Sequence, residues 1–430
     1  MAEKKSPFIG QTTSTNNTTP SLIRIGRHKM AGTKTSKWSF SKSGPLAVVP
    51  DVVCLTYRPD KGATGGPGGV LHLTKMLLGP RVDDLKVVYH FKDSAQPFGI
   101  PGPIKKAINR LGFWPDMMEA ARFGFQMGWQ YRHSSFITHD AGTACGLALA
   151  RRRYALVYHQ QGALASEKLG QGKKLNAREI QALNLVEAYA FKQAHTVHFP
   201  SNGAYRSFLD SSETLRNGDF NYGGPLYNTV PPVIETEISE SPPWMAQLPS
   251  GQPLFLSVGA FTWEKGVDQV ASFMHTLGAK LNSPVTWVLV GNGPFWDKIE
   301  QRCRSLPENI TPIMVPGPVP HALIGKLMQR ADLFFMGHRR SIFDFTTLEA
   351  MQAGCGLVLS PVGGNLEFDL RKNVIWLYPE DPERSAQKIL QTDWHLLGQR
   401  NQRLFFDRFS PKVFKETYSD LCHTLHQEAD

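Results

Sequence analysis

Four short apolar runs, at 254–258, 285–290, 333–336 and 356–360, each end on Gly, Ser or a turn, and each leads into a stretch of helical spacing. Runs this short, rich in Val, Leu and Phe, fit strands buried on both faces, and so a parallel sheet covered by helices. In such a sheet a ligand sits beyond the carboxyl ends of the strands. Gly259, Gly291, Gly293, Gly337, Gly363 and Gly364 fall at those ends. A residue without a side chain there lets backbone N–H groups approach a phosphate and permits positive φ in the strand-to-helix turns.

The first half of the chain repeats the alternation. A strand over 46–57 leads to GATGGPGG at 62–69, which includes Gly66 and Gly69, and then to an amphipathic helix through Leu78. Strand, Gly-rich loop and helix together make an anion-binding turn, because a helix N-terminus offers unpaired N–H groups. They serve equally as a plain turn. A second strand is expected over 85–91, then loops and helices with exposed apolar surface over 100–128. Strand and helix units follow at 135–152 and 155–158, with a helix over 177–193 before the strand HTVHFPS. Glu187 and His195 read as ordinary helix residues. Residues 230–251 hold five prolines and little periodicity, the composition of a hinge between two similar halves.

At 430 residues the chain predicts two or three domains. Its charged fraction of 20% and hydrophobic fraction of 41% are those of a soluble globular protein. No apolar stretch reaches bilayer length. The cysteines are scattered, odd in number and free of CxxC spacing, which argues against a zinc site or a disulfide framework and for a reducing cytosol. The net charge of +10 is uneven: residues 1–45 carry eight Lys or Arg and one acid, leaving the body nearly neutral. Nucleic-acid binding needs basic residues clustered on a folded face, so it is excluded. The basic tail, 1–44, is expected to be disordered. It reads as a solvated extension, as the product of a start codon placed ahead of Met30, or as a contact to anionic membrane at roughly 1 kcal/mol per basic residue. It lacks the apolar core of a secretory signal.

In order along the second half come GAFTWEKG, VTWVLVGNGP, PGPVPHALIGKLMQRADLFF, SIFDFTTLEAMQAGCGLVLS and PVGGNLEF. This succession resembles the donor-binding half of a GT-B nucleotide-sugar glycosyltransferase of the family-4 type, the glycosyl transferases group 1. The resemblance implies an α/β GT-B fold with two Rossmann-like domains facing across a cleft. The acceptor domain would span 45–233, the nucleotide-sugar domain 234–410, and a helix over 411–430 would cross back to the first domain.

On this resemblance Lys265 contacts the donor diphosphate, stabilising charge on the leaving nucleotide. Ala260 stands where the family has an arginine. Of the two glutamates of the family's E-x7-E motif, Glu349 remains, expected on the ribose diol, and Ser341 replaces the other. Asp344 is then a candidate to take over a sugar contact. Thr346 and Thr347 either meet the diphosphate or cap the helix. His159 matches a histidine facing the transferred sugar, and Gly363, Gly364, Asn365 and Glu367 match the turn near the donor. No DxD motif occurs in a sheet-edge context, so no metal and no cofactor is expected, the donor being a UDP- or GDP-sugar. The implied activity is retaining transfer of a hexose to a glycan or lipid-linked acceptor in cell-surface polysaccharide synthesis, in the cytoplasm or at the inner face of the membrane. The alternative is a catalytically reduced accessory protein that binds nucleotide or glycan.

Overall fold

The computed structural model describes residues 49–94, 106, 115–232 and 242–427, apart from 61, 63–65, 171, 247 and 371. The basic tail, most of 100–114 and the centre of the proline-rich hinge lie outside the described residues.

The first lobe is built on a sheet of order β2-β3-β1-β4-β5-β6-β7. Its strands are β1 (Val52–Leu55), β2 (Arg81–Val82), β3 (Leu85–His90), β4 (Ser135–Thr138), β5 (Tyr154–Val157), β6 (Thr196–Phe199) and β7 (Tyr222–Pro225). All pairings are parallel except β2 with β3. Between them run α1 (Pro67–Leu78), α2 (Pro115–Gln130), α3 (Ala141–Leu149), α4 (Leu164–Gly170), α5 (Ala177–Lys192) and α6 (Asn202–Ser211). β1, β4, β5 and β6 are buried along their whole length, as expected of strands covered by helices on both faces.

The second lobe carries the order β10-β9-β8-β11-β12-β13, parallel throughout. Its strands are β8 (Leu254–Val258), β9 (Val285–Gly291), β10 (Ile310–Pro316), β11 (Leu333–Met336), β12 (Gly356–Leu359) and β13 (Val374–Trp376). Its helices are α7 (Val267–Gly278), α8 (Trp296–Cys303), α9 (His321–Arg330), α10 (Phe345–Ala353), α11 (Pro382–Leu390) and α12 (Trp394–Arg408). The last helix, α13 (Pro411–Gln427), returns to the first lobe, where Phe414, Tyr418, Leu421, Cys422 and Leu425 join the core formed by Val52, Cys54, Val70 and Val87.

Several expectations are corrected. Of the first strand expected over 46–57, the described residues 49–57 hold only Val52–Leu55 in strand, while 46–48 lie outside the described residues. The two-residue antiparallel edge strand β2 has no apolar run to announce it; it pairs locally with β3 through a turn at Asp83, whose φ is 52°. The helix expected through 152 stops at Leu149, because Arg151 takes a left-handed φ of 54° and its N–H, with that of Arg152, caps the carbonyls of Ala148 and Leu147. His195 lies beyond α5, in the loop that brings its N–H to Tyr154 O, so it is not a helix residue. Glu187 is helical but fully buried, accepting hydrogen bonds at Oε1 from the Tyr158 hydroxyl (2.5 Å) and the Leu164 N–H (2.9 Å).

Candidate active site

The turn after β8 fixes the first functional side chain. Gly266 adopts a left-handed φ of 60° as the N-cap of α7, and a Cβ there would stand 1.7 Å from the carbonyl oxygen of Gly337. Only glycine allows the two turns, after β8 and after β11, to meet so closely. Their meeting sets Lys265 beside the start of α10. The N-terminus of α10 is capped by Asp344, whose carboxylate accepts from the Thr347 N–H (3.2 Å) and the Thr347 hydroxyl (3.3 Å). The same carboxylate takes a hydrogen-bonded ion pair from Lys265. Burial alone would raise the Asp344 pKa, but the adjacent ammonium outweighs it and holds the carboxyl well below the usual carboxylate range.

These groups line a cleft of about 350 Å³ between the two lobes, at the carboxyl ends of both sheets. The first lobe contributes Gly66, His159 and Gln161. Asn228 enters from the segment after β7. The second lobe contributes Gly259, Ala260, Lys265, His338 and the stretch from Arg340 to Thr346. Three buried side-chain atoms on this one surface make no hydrogen bond among the described residues: His338 Nε2, Ser341 Oγ and Asn228 Oδ1. A buried polar atom without a partner costs about 1–3 kcal/mol, so the three converge where a polar partner, water or ligand, would complete their bonding.

The histidines here are neutral. Asn365, buried behind the cleft, donates through Nδ2 to Ser360 O (2.9 Å) and to His338 Nδ1 (3.3 Å). His338 therefore carries its proton on Nε2, which faces the cleft 3.8 Å from Asp344 Oδ1, beyond hydrogen-bond range. Burial pulls its pKa down against the opposing pull of Asp344. His159 shares a proton position with His139, the two rings stacked with centroids 5.3 Å apart and His139 Nδ1 3.2 Å from His159 Nε2. Burial presses His159 down to about 3 and His139 well below its ordinary value. At neutral pH this pair supplies hydrogen bonds and no charge.

The sequence-predicted residues separate into three groups. Gly66, His159, Gly259, Lys265, Asp344 and Thr346 lie on the cleft together. Gly363, Gly364 and Asn365 form the support behind it: a Cβ on Gly363 would stand 2.1 Å from Ser341 O, and one on Gly364 would stand 2.2 Å from Ile342 O. Thr347 is buried beneath its cap and Gly69 is buried in the first turn of α1. Gly291 sits under Gly259, its Cβ position 1.9 Å from the Gly259 carbonyl oxygen. Glu349 lies on α10 outside the cleft lining, accepting from His321 Nε2 at 2.7 Å.

Sequence reading missed Asn228, Gln161, His338 and Arg340. The doublet Arg339-Arg340 after the glycine-ended strand was the available signal, and the fold splits it. Arg339 makes a bidentate pair with Asp268 at 2.8 and 3.0 Å, whereas Arg340 reaches into the cleft.

Two α/β lobes with parallel sheets, facing across a cleft at their strand ends and tied by a returning C-terminal helix, define the GT-B fold. Within it, residues 242–392, most of the second lobe, match the model of the family described as glycosyl transferases group 1. An uncharacterized glycosyltransferase of Methanocaldococcus jannaschii is 30% identical over 146 residues, covering 33% of this chain and 37% of that one. The match thus spans little more than a third of the curated relative's length. Among solved structures, sucrose-phosphate synthase from Thermosynechococcus elongatus superposes with a TM-score of 0.62 at 16% identity, over 88% of this chain and all of that one. The Escherichia coli trehalose-6-phosphate protein bound with UDP-2-fluoro glucose gives 0.60 at 12% identity, over 87% and 99% of the two chains. Among the described residues no helix is long and apolar enough to cross a membrane, and no cluster of three His, Cys, Asp or Glu could hold a metal ion.

Proposed function

We propose that the protein is a hexosyltransferase that moves a sugar from a UDP- or GDP-sugar to a glycan or lipid-linked acceptor with retention of configuration, in cell-surface polysaccharide synthesis. The carrying observation is the inter-lobe cleft itself, where His338 Nε2, Ser341 Oγ and Asn228 Oδ1 converge without partners beside Lys265 and the start of α10. Its size suits a small polar ligand. Its position at two sets of strand ends lets one lobe hold the nucleotide and the other present the acceptor. The second lobe's family supports a nucleotide-sugar donor, and a GT-B neighbour of the same fold was solved with UDP-2-fluoro glucose. The chemistry left to the protein is positioning and charge stabilisation: cationic side chains meet the departing diphosphate, and neutral His159 and His338 offer hydrogen bonds to sugar or phosphate oxygens without repelling the acceptor.

A second reading, a nucleotide- or glycan-binding protein without transfer, is favoured by Ser341 and Ala260. Both line the cleft, at positions where the family resemblance implies a carboxylate and a guanidinium. A thermal-shift panel of UDP- and GDP-hexoses separates the outcomes, since a ligand that binds the native state raises Tm by mass action. A donor that raises Tm and is consumed with an acceptor, giving a product of unchanged anomeric configuration by NMR, supports transfer. A donor that raises Tm and is never consumed supports the second reading. A panel with no shift at millimolar donor overturns both.

A further inference from the structure

Resting on the nucleotide-sugar reading above, we infer that Arg340 is the cation that binds the donor diphosphate in this chain, taking the place left open by Ala260. The charges lining the cleft carry the argument. His159 and His338 are neutral, and the charged side chains on its wall are Lys265, Asp344 and Arg340. Lys265 and Asp344 are bound to each other, and Asp344 also fills the N-terminus of α10, so the lysine, the helix end and the carboxylate already form a closed set. Of the charged side chains on the wall that leaves Arg340, the cation not taken up by that set; its charge also reaches Glu167 on α4.

The surroundings of Arg340 fit this role. Its guanidinium carbon lies 5.8 Å from the centre of the Trp263 ring, an aromatic face that orients the planar group. The side chain spans from the β11 turn toward the first lobe, where Gly170, at the end of α4, leaves room: a Cβ there would stand 2.8 Å from Nη1. The guanidinium thus sits on the cleft wall between the lobes, partly buried, and carries a planar fork of N–H donors. A diphosphate matches that fork bidentately, as a lysine cannot. The arginine predicted from the neighbouring β8 turn is absent from the sequence, and this one reaches the same cleft from the β11 turn.

The test is calorimetric titration of UDP, GDP and the corresponding monophosphates into the wild type, Arg340→Ala and Arg340→Lys, with the Tm of each unliganded protein recorded. The wild type is expected to prefer one diphosphate over its monophosphate. Arg340→Ala should lose about tenfold or more in diphosphate affinity, as for a hydrogen bond to a charged group, and should lose most of the diphosphate preference. Arg340→Lys should fall between, because a point charge lacks the fork. A merely structural role would lower Tm or affect both nucleotides alike and leave the preference intact. An unchanged preference in a folded Arg340→Ala overturns this assignment alone, whereas a wild type that binds none of these nucleotides overturns the nucleotide-sugar reading and the assignment with it.

Discussion

Lys265 and Asp344 are each placed on the cleft, but they are bound to each other, and that alters what either substitution should do. Removing the lysine strands a buried carboxylate, and breaking a buried pair from one side costs about 3–5 kcal/mol. Lys265→Ala is therefore expected to lower Tm by several degrees, and Lys265→Ala with Asp344→Ala to recover part of that loss; additive losses in calorimetry would show that the pair is not coupled. Asp344→Asn keeps a good helix cap and releases the ammonium. It should tighten nucleoside diphosphate binding. If it instead leaves that affinity unchanged and lowers turnover, Asp344 contacts the sugar. Glu187 gives a pH prediction. Burial lifts its pKa to about 7, above the unfolded value, so between roughly pH 4.5 and 7 the folded state binds the extra proton and stability falls as pH rises. The buried histidines act in the opposite sense below pH 6.5, so the informative quantity is a difference. The unfolding free energy of Glu187→Gln relative to wild type, from urea melts, should rise from pH 5 to pH 8 by an amount on the order of 1–3 kcal/mol; a constant difference would mean Glu187 does not titrate there. Lys265 was legible in the sequence because its motif is local. Arg340 was not, since two adjacent arginines in a loop read alike until Asp268, some seventy residues earlier, claims one of them.

Helices and strands were legible to the extent that their signals are local. The second lobe's strands follow apolar runs bounded by Gly and Ser, and α10 begins at an Asp three residues ahead of a Thr whose N–H it accepts. What escaped was decided by contacts between distant segments. β2 is two residues long and exists because β3 is beside it. The closest packing in the first lobe, α2 against α3, rests on glycines inside helices, where intrinsic propensity would predict weakness. At Gly146 an added Cβ would stand 1.8 Å from the Ala121 carbonyl oxygen and 2.6 Å from the Phe125 nitrogen. Backbone cannot yield as a side-chain tip can. Gly146→Ala, which should stabilise an isolated helix, is thus expected to destabilise the protein by about 1–3 kcal/mol as the two helices separate. Equal urea midpoints for variant and wild type would refute that close approach.

At the scale of the whole molecule the question is what makes two lobes act as one. Near the cleft, Ser201 caps α6 and donates to Ile342 O at 2.5 Å, while Glu367 accepts from the Tyr227 hydroxyl at 2.8 Å and from the Gly203 N–H at 3.2 Å. The carboxylate of the GGNLE turn therefore holds the lobes together. The family pattern had placed it near the donor, and its sequence context could not reveal a partner more than a hundred residues away. Far from the cleft, α13 performs the second join. It follows α12, which packs on the second lobe, yet its Phe414, Tyr418, Leu421, Cys422 and Leu425 are buried in the first lobe beside β1 and α1, and Ser135 Oγ donates to Leu425 O at 2.9 Å. Fully burying a large apolar side chain contributes about 1.5–3 kcal/mol, so the four large ones, Phe414, Tyr418, Leu421 and Leu425, are comparable with the whole stability of a domain, about 5–15 kcal/mol. Ending the chain at Ser410 should for that reason unfold the first lobe while sparing the second, whose core of Phe255, Trp287, Phe335 and Leu357 makes no use of α13. Limited proteolysis of the truncated chain should yield a resistant fragment beginning near residue 242, with the first lobe digested. A truncated chain in which both lobes resist digestion as in the full-length protein would show that α13 is an accessory to the first lobe rather than part of its core.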